Sequence, residues 1–346
     1  MSVFSKVRNF FSRHRNKFIV GGIIIGGSIF LTRYAQQKLK EWQEKETLEF
    51  LERNRKHQHF ESIGRTCNQT ILNLSIALNE TINKRINTEE VIERLKSNPE
   101  NKLGLWNELK ILVFSKAACT IYANVMLVVT LKIQLSIIGG YLYKDPNSLS
   151  SDMQERYLSY CQNLMDAGFN KLNDLVDRTC RKVLNSVNLT KQLKLSDLEA
   201  IFWSIQTAVA TDNDNPVENL RHYILPDVDV PNSEGIYERV VKDTSDLLES
   251  DEVKSLVTHC TTRGFMVLAE QLSEYYNTNG ITENGKVSET GEFINPFNMK
   301  KPMAKVLPII NGLFSNKTLP DQFLQQLIVY EKLQVLSANV YESFLL

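Results

Sequence analysis

The feature of the sequence that most constrains its fold is a long apolar stretch that begins at Asn101 and runs to Tyr143. Residues 117–131 within it are apolar on nearly every side of a helix, and such a helix must be buried in a protein core or in a membrane. These fifteen residues, which lie between Lys116 and Lys132, are too short to cross a hydrocarbon layer of about 30 Å. We therefore predict a helix that is buried at the centre of a large bundle.

The rest of the chain from about residue 63 has apolar residues at spacings of three and four, whereas alternating strand patterns are scarce. The sequence therefore predicts an all-α fold, one large bundle of long helices with an amino-terminal transmembrane anchor. Helices are expected at about residues 63–86, from a cap formed by Asn87 and Glu90 to just before Pro99, and at 101–143, 152–190, 195–210, 236–249, 252–277, 302–314 and 319–345. Residues 211–234 and 278–300 carry turn residues and are expected to be long surface loops.

The first seventeen residues contain five basic side chains and no acidic ones. Phe4, Val7 and Phe11 follow one another at helical spacing, so the segment is predicted to be a basic amphipathic helix. Such a helix lies in a membrane interface, but a mitochondrial presequence has the same pattern. Composition does not choose between a targeting segment and a presequence.

Residues 18–33 are the predicted transmembrane anchor, because the run from Phe18 to Leu31 is free of charge and is bounded by basic residues. A rise of about 1.5 Å per residue gives roughly 21 Å, so the flanking residues must extend the span. A cleaved signal peptide is disfavoured because no small-residue cleavage site follows Leu31, and a core helix because a basic cluster precedes the run. Gly22 and Gly26 have the spacing that packs two anchors together, although chance explains it better in so glycine-rich a run.

Residues 34–60 form a predicted polar helical stalk, in which acidic residues precede basic ones by four positions, as in Glu41 and Lys45 or Glu49 and Arg53. Each such pair stabilises a helix by only ~0.3 kcal/mol. The stalk leads to a soluble body at residues 61–346.

Charge and cysteine content exclude several classes of protein. The chain has 40 basic and 40 acidic residues, but the first 61 residues hold twelve basic and six acidic ones. A neutral body argues against nucleic acid as a partner, and the basic end favours an anionic lipid surface. The five cysteines are odd in number and widely spaced, which predicts reduced thiols and no zinc or iron-sulfur site.

A search for catalytic motifs finds two partial matches. Residues 280–286 match the start of a phosphate-binding loop, but Val287 stands where a serine or threonine must hold magnesium, and no strand precedes it. Asp212, Asp214 and Glu218 resemble part of a calcium loop that lacks its glycine. We interpret both as solvated turns and predict no enzyme activity, no cofactor and no metal site.

Short segments along the whole chain carry a resemblance to a known family. They are RHRNK (13–17), FESIGRTCNQT (60–70), NKLGLWNELKI (101–111), QLSIIGGYLY (134–143), RGF (263–265), AKVLPIING (304–312) and ANVYESF (338–344). Each segment is weak alone, but their order and spacing are specific. Together they resemble the peroxisomal biogenesis factor 3 family, membrane proteins that dock the import receptor peroxin 19.

The resemblance implies a single-pass protein of the peroxisomal membrane with a large helical carboxy-terminal domain in the cytosol and no enzyme activity. In this family a groove holds the amphipathic amino-terminal helix of peroxin 19, with a tryptophan as the central contact. The corresponding residues here are Trp106, Lys102, Leu109, Ile92, Leu95, Lys305 and Ser136, the last at a position that is often asparagine in the family. Peroxisomal membrane lipids are expected partners, and inheritance or pexophagy factors are further candidates.

The residues around Trp106 are compatible with docking independently of the resemblance. Leu103, Trp106 and Leu109 form one apolar stripe and Leu105 and Leu112 another, so the helix can face both a core and a partner. The alternative for Trp106 is plain core packing, since most helical tryptophans belong to the core.

Membrane topology gives conflicting indications. Five basic residues precede the predicted anchor and Arg33, Lys38, Lys40 and Lys45 follow it, so the positive-inside rule weakly favours a cytosolic amino terminus. The resemblance places the large domain in the cytosol instead. We follow the resemblance, because reduced cysteines and cytosolic partners require that side.

The function predicted from the sequence is thus that of a membrane-anchored docking receptor. The alternative is a mitochondrial membrane-anchored helical adaptor whose first 17 residues are a presequence. A third hypothesis, an ATP-using enzyme, is supported only by the loop at residues 280–286.

Overall fold

The computed structural model describes the backbone of residues 3–226, 235–277, 299–316 and 318–345, with side chains from Gln37 onward. The chain divides into two compact units, Met1–His59 and Phe60–Leu346. The division falls near the predicted end of the stalk at residue 60. The roles that the sequence assigns to residues 1–17, 18–33, 34–60 and 61–346 remain predictions.

The first unit is helical from Val3, and its side chains are described only from residue 37. The side chains of the predicted anchor, Phe18, Gly22, Gly26 and Leu31 among them, lie outside the described residues. In the predicted stalk, Lys38 pairs with Glu41 at 3.0 Å and Lys45 with Glu49 at 3.9 Å, so these pairs have the base first. The stalk is less polar than its charges suggest, since large apolar side chains are exposed there: Leu39, Trp42, Leu48, Phe50 and Leu51.

The second unit is a helical bundle, and the described residues confirm the all-α fold. The helices are α1 (Val3–Arg85), α2 (Thr88–Lys96), α3 (Lys102–Lys144), α4 (Ser151–Leu158), α5 (Tyr160–Asn163), α6 (Phe169–Leu184), α7 (Leu195–Ala210), α8 (Leu220–Ile224), α9 (Ile236–Leu248), α10 (Asp251–Asn277), α11 (Met303–Ser315), α12 (Thr318–Ile328) and α13 (Glu331–Ser343). A π-helical turn, Leu164–Gly168, joins α5 to α6. Two short strands, β1 (Gln192–Leu193) and β2 (Lys301–Pro302), pair antiparallel with Gln192 opposite Pro302.

Helix α3 is the central element of the bundle and packs against α2, α6, α10, α11 and α13. Among the described residues it is the one helix long and apolar enough to cross a membrane, and 89% of its most apolar window is buried within the protein. This burial is what the sequence predicts for a core helix. Close packing requires glycine at Gly140, because a Cβ there would lie 2.7 Å from the Cβ of Phe344 on the carboxy-terminal segment.

Two predicted helices are interrupted. The helix expected at residues 152–190 is divided into α4, α5, the π-helical turn and α6, and it ends at Leu184. The helix expected at 319–345 breaks at Tyr330, whose ring stacks on His259 of α10 with centroids 5.8 Å apart. Tyr330 donates its backbone N–H to Leu327 and accepts one from Leu333, so it closes α12 and opens α13. No glycine or proline stands at this break, so the local sequence does not predict it. The contact of Tyr330 with α10 joins segments that are far apart in the chain.

The predicted loop at 211–234 is wrong for its described part. Residues 211–226 include α8, and Asn215, Val217, Leu220 and Tyr223 are buried. The Asn215 side chain accepts the backbone N–H of Val217 at 3.0 Å and donates to the Ala210 carbonyl at 3.1 Å, which folds the segment onto the end of α7. Residues 227–234 and 278–298, with the phosphate-loop match at 280–286, lie outside the described residues.

Candidate functional site

Two asparagine caps bring α2 back against the start of α3. Asn87 accepts the backbone N–H of Glu90 at 3.2 Å, which is the cap expected from the sequence, and Asn101, where the long apolar stretch begins, accepts that of Gly104 at 3.0 Å. Between them Asn98 has a φ of 57°, a left-handed conformation that asparagine tolerates better than most residues. The chain therefore reverses within a few residues, and α2 packs on the first turns of α3.

An open groove of about 540 Å³ lies where α2, the start of α3 and the second half of α11 meet. The residues that line it are Glu89, Ile92, Leu95, Lys96, Lys102, Trp106, Leu109, Leu307, Pro308, Asn311, Gly312, Ser315 and Asn316. We call it the α2–α3–α11 groove. Five residues that the sequence predicted as partner contacts, Ile92, Leu95, Lys102, Trp106 and Leu109, line this single groove.

Two predicted contacts lie elsewhere. Ser136 is 2% exposed, and it follows Trp106 by thirty residues on the same helix, which corresponds to about 45 Å along its axis. Lys305 is exposed on α11, one turn before Pro308, and does not belong to the groove lining.

The α11 wall of the groove was not predicted as such from the sequence. Leu307, Pro308, Asn311, Gly312 and Ser315 come from a helix on which the resemblance implied only Lys305 as a contact. A signal was available, since Pro308 and Gly312 share one face of a helix whose other face carries Val306 and Ile310. An apolar helix with proline and glycine on its outer face leaves an unusually open surface.

Trp106 faces both the core and the groove. It is half-buried and packs against the hydrophobic core while its remaining surface lines the groove. On the same helix Leu103 is 68% exposed and lies outside the groove, whereas Leu109 and Val113 are buried. The apolar stripe predicted on α3 therefore passes from solvent through the groove into the core.

A buried polar network lies beneath the groove and joins its three helices. Lys116 of α3, 4% exposed, donates to Ser315 of α11 at 3.2 Å and to Thr88 of α2 at 3.5 Å. Thr88 donates to Asn311 at 2.8 Å, and Asn311 donates to Glu89 at 3.3 Å. Burial lowers the pKa of Lys116, and the nearby charge of Glu89 partly opposes that shift. Because each bond joins two different helices, the network sets the spacing of the groove walls.

The charges of the groove are mainly positive at its edge. Lys96 and Lys102 are exposed and line it, whereas the carboxylate of Glu89 accepts hydrogen bonds from Asn311 and Ser315. The groove therefore combines an apolar surface with a basic edge. These properties fit an amphipathic helix that carries acidic residues beside its apolar face.

The described residues contain no cluster of histidine, cysteine, aspartate or glutamate suited to a metal ion. Arg178 pairs with Asp212 at 3.0 Å and with Asp214 at 3.1 Å, and Lys254 pairs with Glu218 at 3.1 Å, so the calcium-loop resemblance is an ion-paired turn. All five cysteines are free and buried, and burial raises the pKa of the Cys67 thiol to about 11.

Comparisons with known proteins find similarity along nearly the whole chain. The sequence model of the family described as Peroxin-3 matches residues 9–103, 96–145 and 141–343. Peroxisomal biogenesis factor 3 of Rattus norvegicus is 34% identical over 363 residues, which cover 97% of this chain and 96% of the relative. The protein of that name from Homo sapiens is 34% identical, over 98% of this chain and 97% of the relative. The one from Debaryomyces hansenii is 21% identical over 99% of this chain and 100% of the relative.

Proposed function

This chain belongs to the Peroxin-3 family, and we propose that it is a membrane-anchored docking receptor for a soluble import receptor of peroxisomal membrane proteins. Family membership assigns it a role in peroxisome biogenesis and a peroxisomal location, which favours the peroxisomal over the mitochondrial interpretation. The family is one of biogenesis factors and is not a known enzyme family. The proposal adds the anchor, the partner and the surface that binds it.

The proposed partner is the amphipathic amino-terminal helix of peroxin 19, bound in the α2–α3–α11 groove. The observation that carries this proposal is that five residues implied as contacts, drawn from two helices, line one open groove together with α11. Lys305, exposed one turn before Pro308, would extend the basic edge for a longer helix. Ser136 is buried well away from the groove and has no contact role in the proposal.

The groove offers both affinity and orientation to such a helix. The apolar face of the helix would remove Trp106, Ile92 and Leu95, which are only partly buried, from water, at about 25 cal/mol for each Å² of apolar surface. The space beside Gly312 is open, since a Cβ there would meet no atom within 4 Å, so a side chain of the partner has room to enter. Lys96 and Lys102 would steer acidic residues of the partner to the edge and fix its direction.

Docking is tested by titrating a labelled peroxin 19 amino-terminal peptide against the full-length protein in nanodiscs. We expect Trp106→Ala to weaken binding about thirtyfold or more, which corresponds to ~2 kcal/mol for an aromatic hot spot. Leu103→Ala is the matched control, because this leucine is on the same helix, is 68% exposed and lies outside the groove. Unchanged affinity in Trp106→Ala, with an unchanged unfolding midpoint, would contradict docking at this groove.

The proposed anchor is the charge-free run within residues 18–33, which would leave residues 61–346 in the cytosol. Replacing Ile24 near its centre with arginine is expected to cost ~2.5–3.5 kcal/mol of membrane insertion. Tyr34→Arg is the control, because a charge at the water end of the run can reach the interface. Carbonate extraction should release the first variant and retain the second, and retention of both would refute the anchor.

A further inference from the structure

A second groove, of about 620 Å³, lies between α7 and α10 on a different part of the body. It shares no lining residue with the α2–α3–α11 groove. Trp203 of α7 is 67% exposed and Met266 of α10 is 66% exposed, and both line it. Their neighbours Phe202 and Phe265 are buried and supply the core contacts of the two helices. The exposed tryptophan and methionine are therefore not needed to hold α7 and α10 in the bundle.

Aromatic rings form the floor of this α7–α10 groove. Phe202 and Phe265 have ring centroids 6.0 Å apart, and Tyr122 of α3 meets Phe265 edge-on, also at 6.0 Å. With Trp203 and Met266 above them, these rings make a continuous apolar surface between the two helices. Scattered exposed apolar residues are ordinary, but a contiguous patch with a concave floor is typical of a binding site.

One hydroxyl in the groove lacks a hydrogen bond. Thr258, Thr261 and Thr262 of α10 all line the groove. Thr258 donates to the Lys254 carbonyl and Thr262 to the Thr258 carbonyl, each at 2.9 Å. Thr261 is 4% exposed, and within the described structure its Oγ1 has no partner. Buried hydroxyls are almost always paired, so this one costs stability, and because its oxygen is inaccessible to solvent it is not a contact for a partner.

The charges that line the groove are acidic. Glu199 and Glu218 line it, and no lysine, arginine or histidine does so in the part of the chain that the structure describes. Glu218 is engaged by Lys254 at 3.1 Å, whereas Glu199 is exposed on α7. The sign is opposite to that of the α2–α3–α11 groove, where Lys96 and Lys102 are at the edge.

We propose that the α7–α10 groove docks a basic amphipathic helix of a second partner protein. Its apolar residues, spaced by three and four, pack on Trp203, Met266 and the aromatic floor. A lysine or arginine beside that stripe pairs with Glu199. The site is separate from the peroxin 19 groove, so both partners bind one chain at once.

The test uses the full-length protein in phosphatidylcholine nanodiscs and two fluorescein-labelled synthetic helices. The helices have the same leucine stripe, and the polar face carries lysines in one and glutamates in the other. Binding to empty nanodiscs is subtracted first. The quantity compared is then the affinity of each helix for the wild type and for Trp203→Ala. We expect the lysine helix to lose at least tenfold in affinity in Trp203→Ala, and the glutamate helix to show no such loss.

Matched variants separate the groove from general stickiness. Glu199→Lys should weaken the lysine helix about tenfold and leave the unfolding midpoint unchanged, because Glu199 is exposed. Val335→Ala, an exposed apolar residue outside both grooves, should change nothing. An excess of unlabelled peroxin 19 peptide should not displace the lysine helix.

Three results would overturn the proposal. Equal affinity for the lysine and glutamate helices would show that the partner need not be basic. Unchanged affinity of the lysine helix in both Trp203→Ala and Glu199→Lys would show that it does not bind in the α7–α10 groove. Displacement by the peroxin 19 peptide would place the probe in the α2–α3–α11 groove. None of these results bears on whether Trp106→Ala loses peroxin 19 binding, so the two proposals fail independently.

Discussion

Trp106 and Trp203 each stand beside an open groove, but the two grooves are built differently. Trp106 is half-buried and shares its ring with the core, whereas Trp203 is 67% exposed and contributes little to the bundle. Lys96 and Lys102 line the first groove and Glu199 the second. One helical body thus presents two apolar grooves with opposite charges at their edges, and the two docking proposals rest on that difference.

The floors of the grooves differ as well. Hydrogen bonds from Lys116 and Thr88 join all three helices of the α2–α3–α11 groove. The α7–α10 groove has an aromatic floor and the unpaired hydroxyl of Thr261. The first groove is therefore held at a defined width by hydrogen bonds between its helices, whereas the second is lined by packed aromatic rings beside a buried, unpaired hydroxyl.

The largest expected effect comes from filling the first groove. Gly312→Leu places a side chain in open space inside the α2–α3–α11 groove, and leucine also favours a helix more than glycine does. We expect affinity for the peroxin 19 peptide to fall thirtyfold or more while the unfolding midpoint stays the same or rises. Gly64→Leu is the control, because Gly64 is also helical, has equal space and lies outside both grooves. Retained peptide binding in Gly312→Leu would show that the peptide does not bind in the α2–α3–α11 groove.

The next effect tests whether the polar network sets the width of the first groove. Lys116→Met preserves volume and removes the buried cation while Thr88 keeps its bond to Asn311. We expect peptide affinity to fall about tenfold with little change in stability at neutral pH, since replacing a buried charge by an apolar group is often neutral. Binding to the α7–α10 groove should not change. A large loss of stability would show that the lysine supports the fold rather than the groove.

The same variant has a pH signature. Burial lowers the pKa of Lys116 below its ordinary 10.5 in the folded protein. Between the two values the unfolded chain holds the proton and the folded protein does not, so the free energy of unfolding from this group rises with pH. Denaturant titrations of both proteins at neutral and alkaline pH should show this rise in the wild type relative to Lys116→Met. The other titrating groups contribute equally to both proteins, so subtracting the free energy of unfolding of Lys116→Met from that of the wild type leaves the contribution of Lys116.

A smaller effect concerns the second groove. Thr261→Val removes a buried hydroxyl that has no partner, so we expect the free energy of unfolding to increase by about 1 kcal/mol. Thr258→Val is the control, because that hydroxyl already donates to the Lys254 carbonyl. Urea unfolding of the two variants measures the difference. An equal or lower stability of Thr261→Val would mean that its hydroxyl is paired in solution.

The smallest effect is electrostatic. Lys102 is exposed at the edge of the first groove, so Lys102→Glu should slow association of the peroxin 19 peptide about threefold and change dissociation less. The effect should fade as salt is added, because the Debye length falls to ~3 Å at 1 M. Stopped-flow measurements at two ionic strengths test this. A change confined to the dissociation rate would assign Lys102 a direct contact instead of a steering role.

The sequence by itself determined the features that depend on residues a few positions apart. Asn87 and Asn101 begin α2 and α3 because each side chain accepts a backbone N–H three residues later. The burial of α3 follows from an apolar surface on every side of the helix, and helix α7 has the expected bounds, Leu195–Ala210. Trp106 was identified as a candidate contact through the family resemblance, which rests on short segments whose order along the chain is specific.

Only the tertiary structure decided which distant segments meet. The α11 wall of the first groove joins α2 through Thr88 and Asn311, which are 223 residues apart. The break at Tyr330, the packing of Ile224 on Asn163 and the apposition of Trp203 with Met266 also depend on contacts between distant segments. The free energy of such contacts comes from burying surfaces against each other, and no local stretch of sequence contains both surfaces.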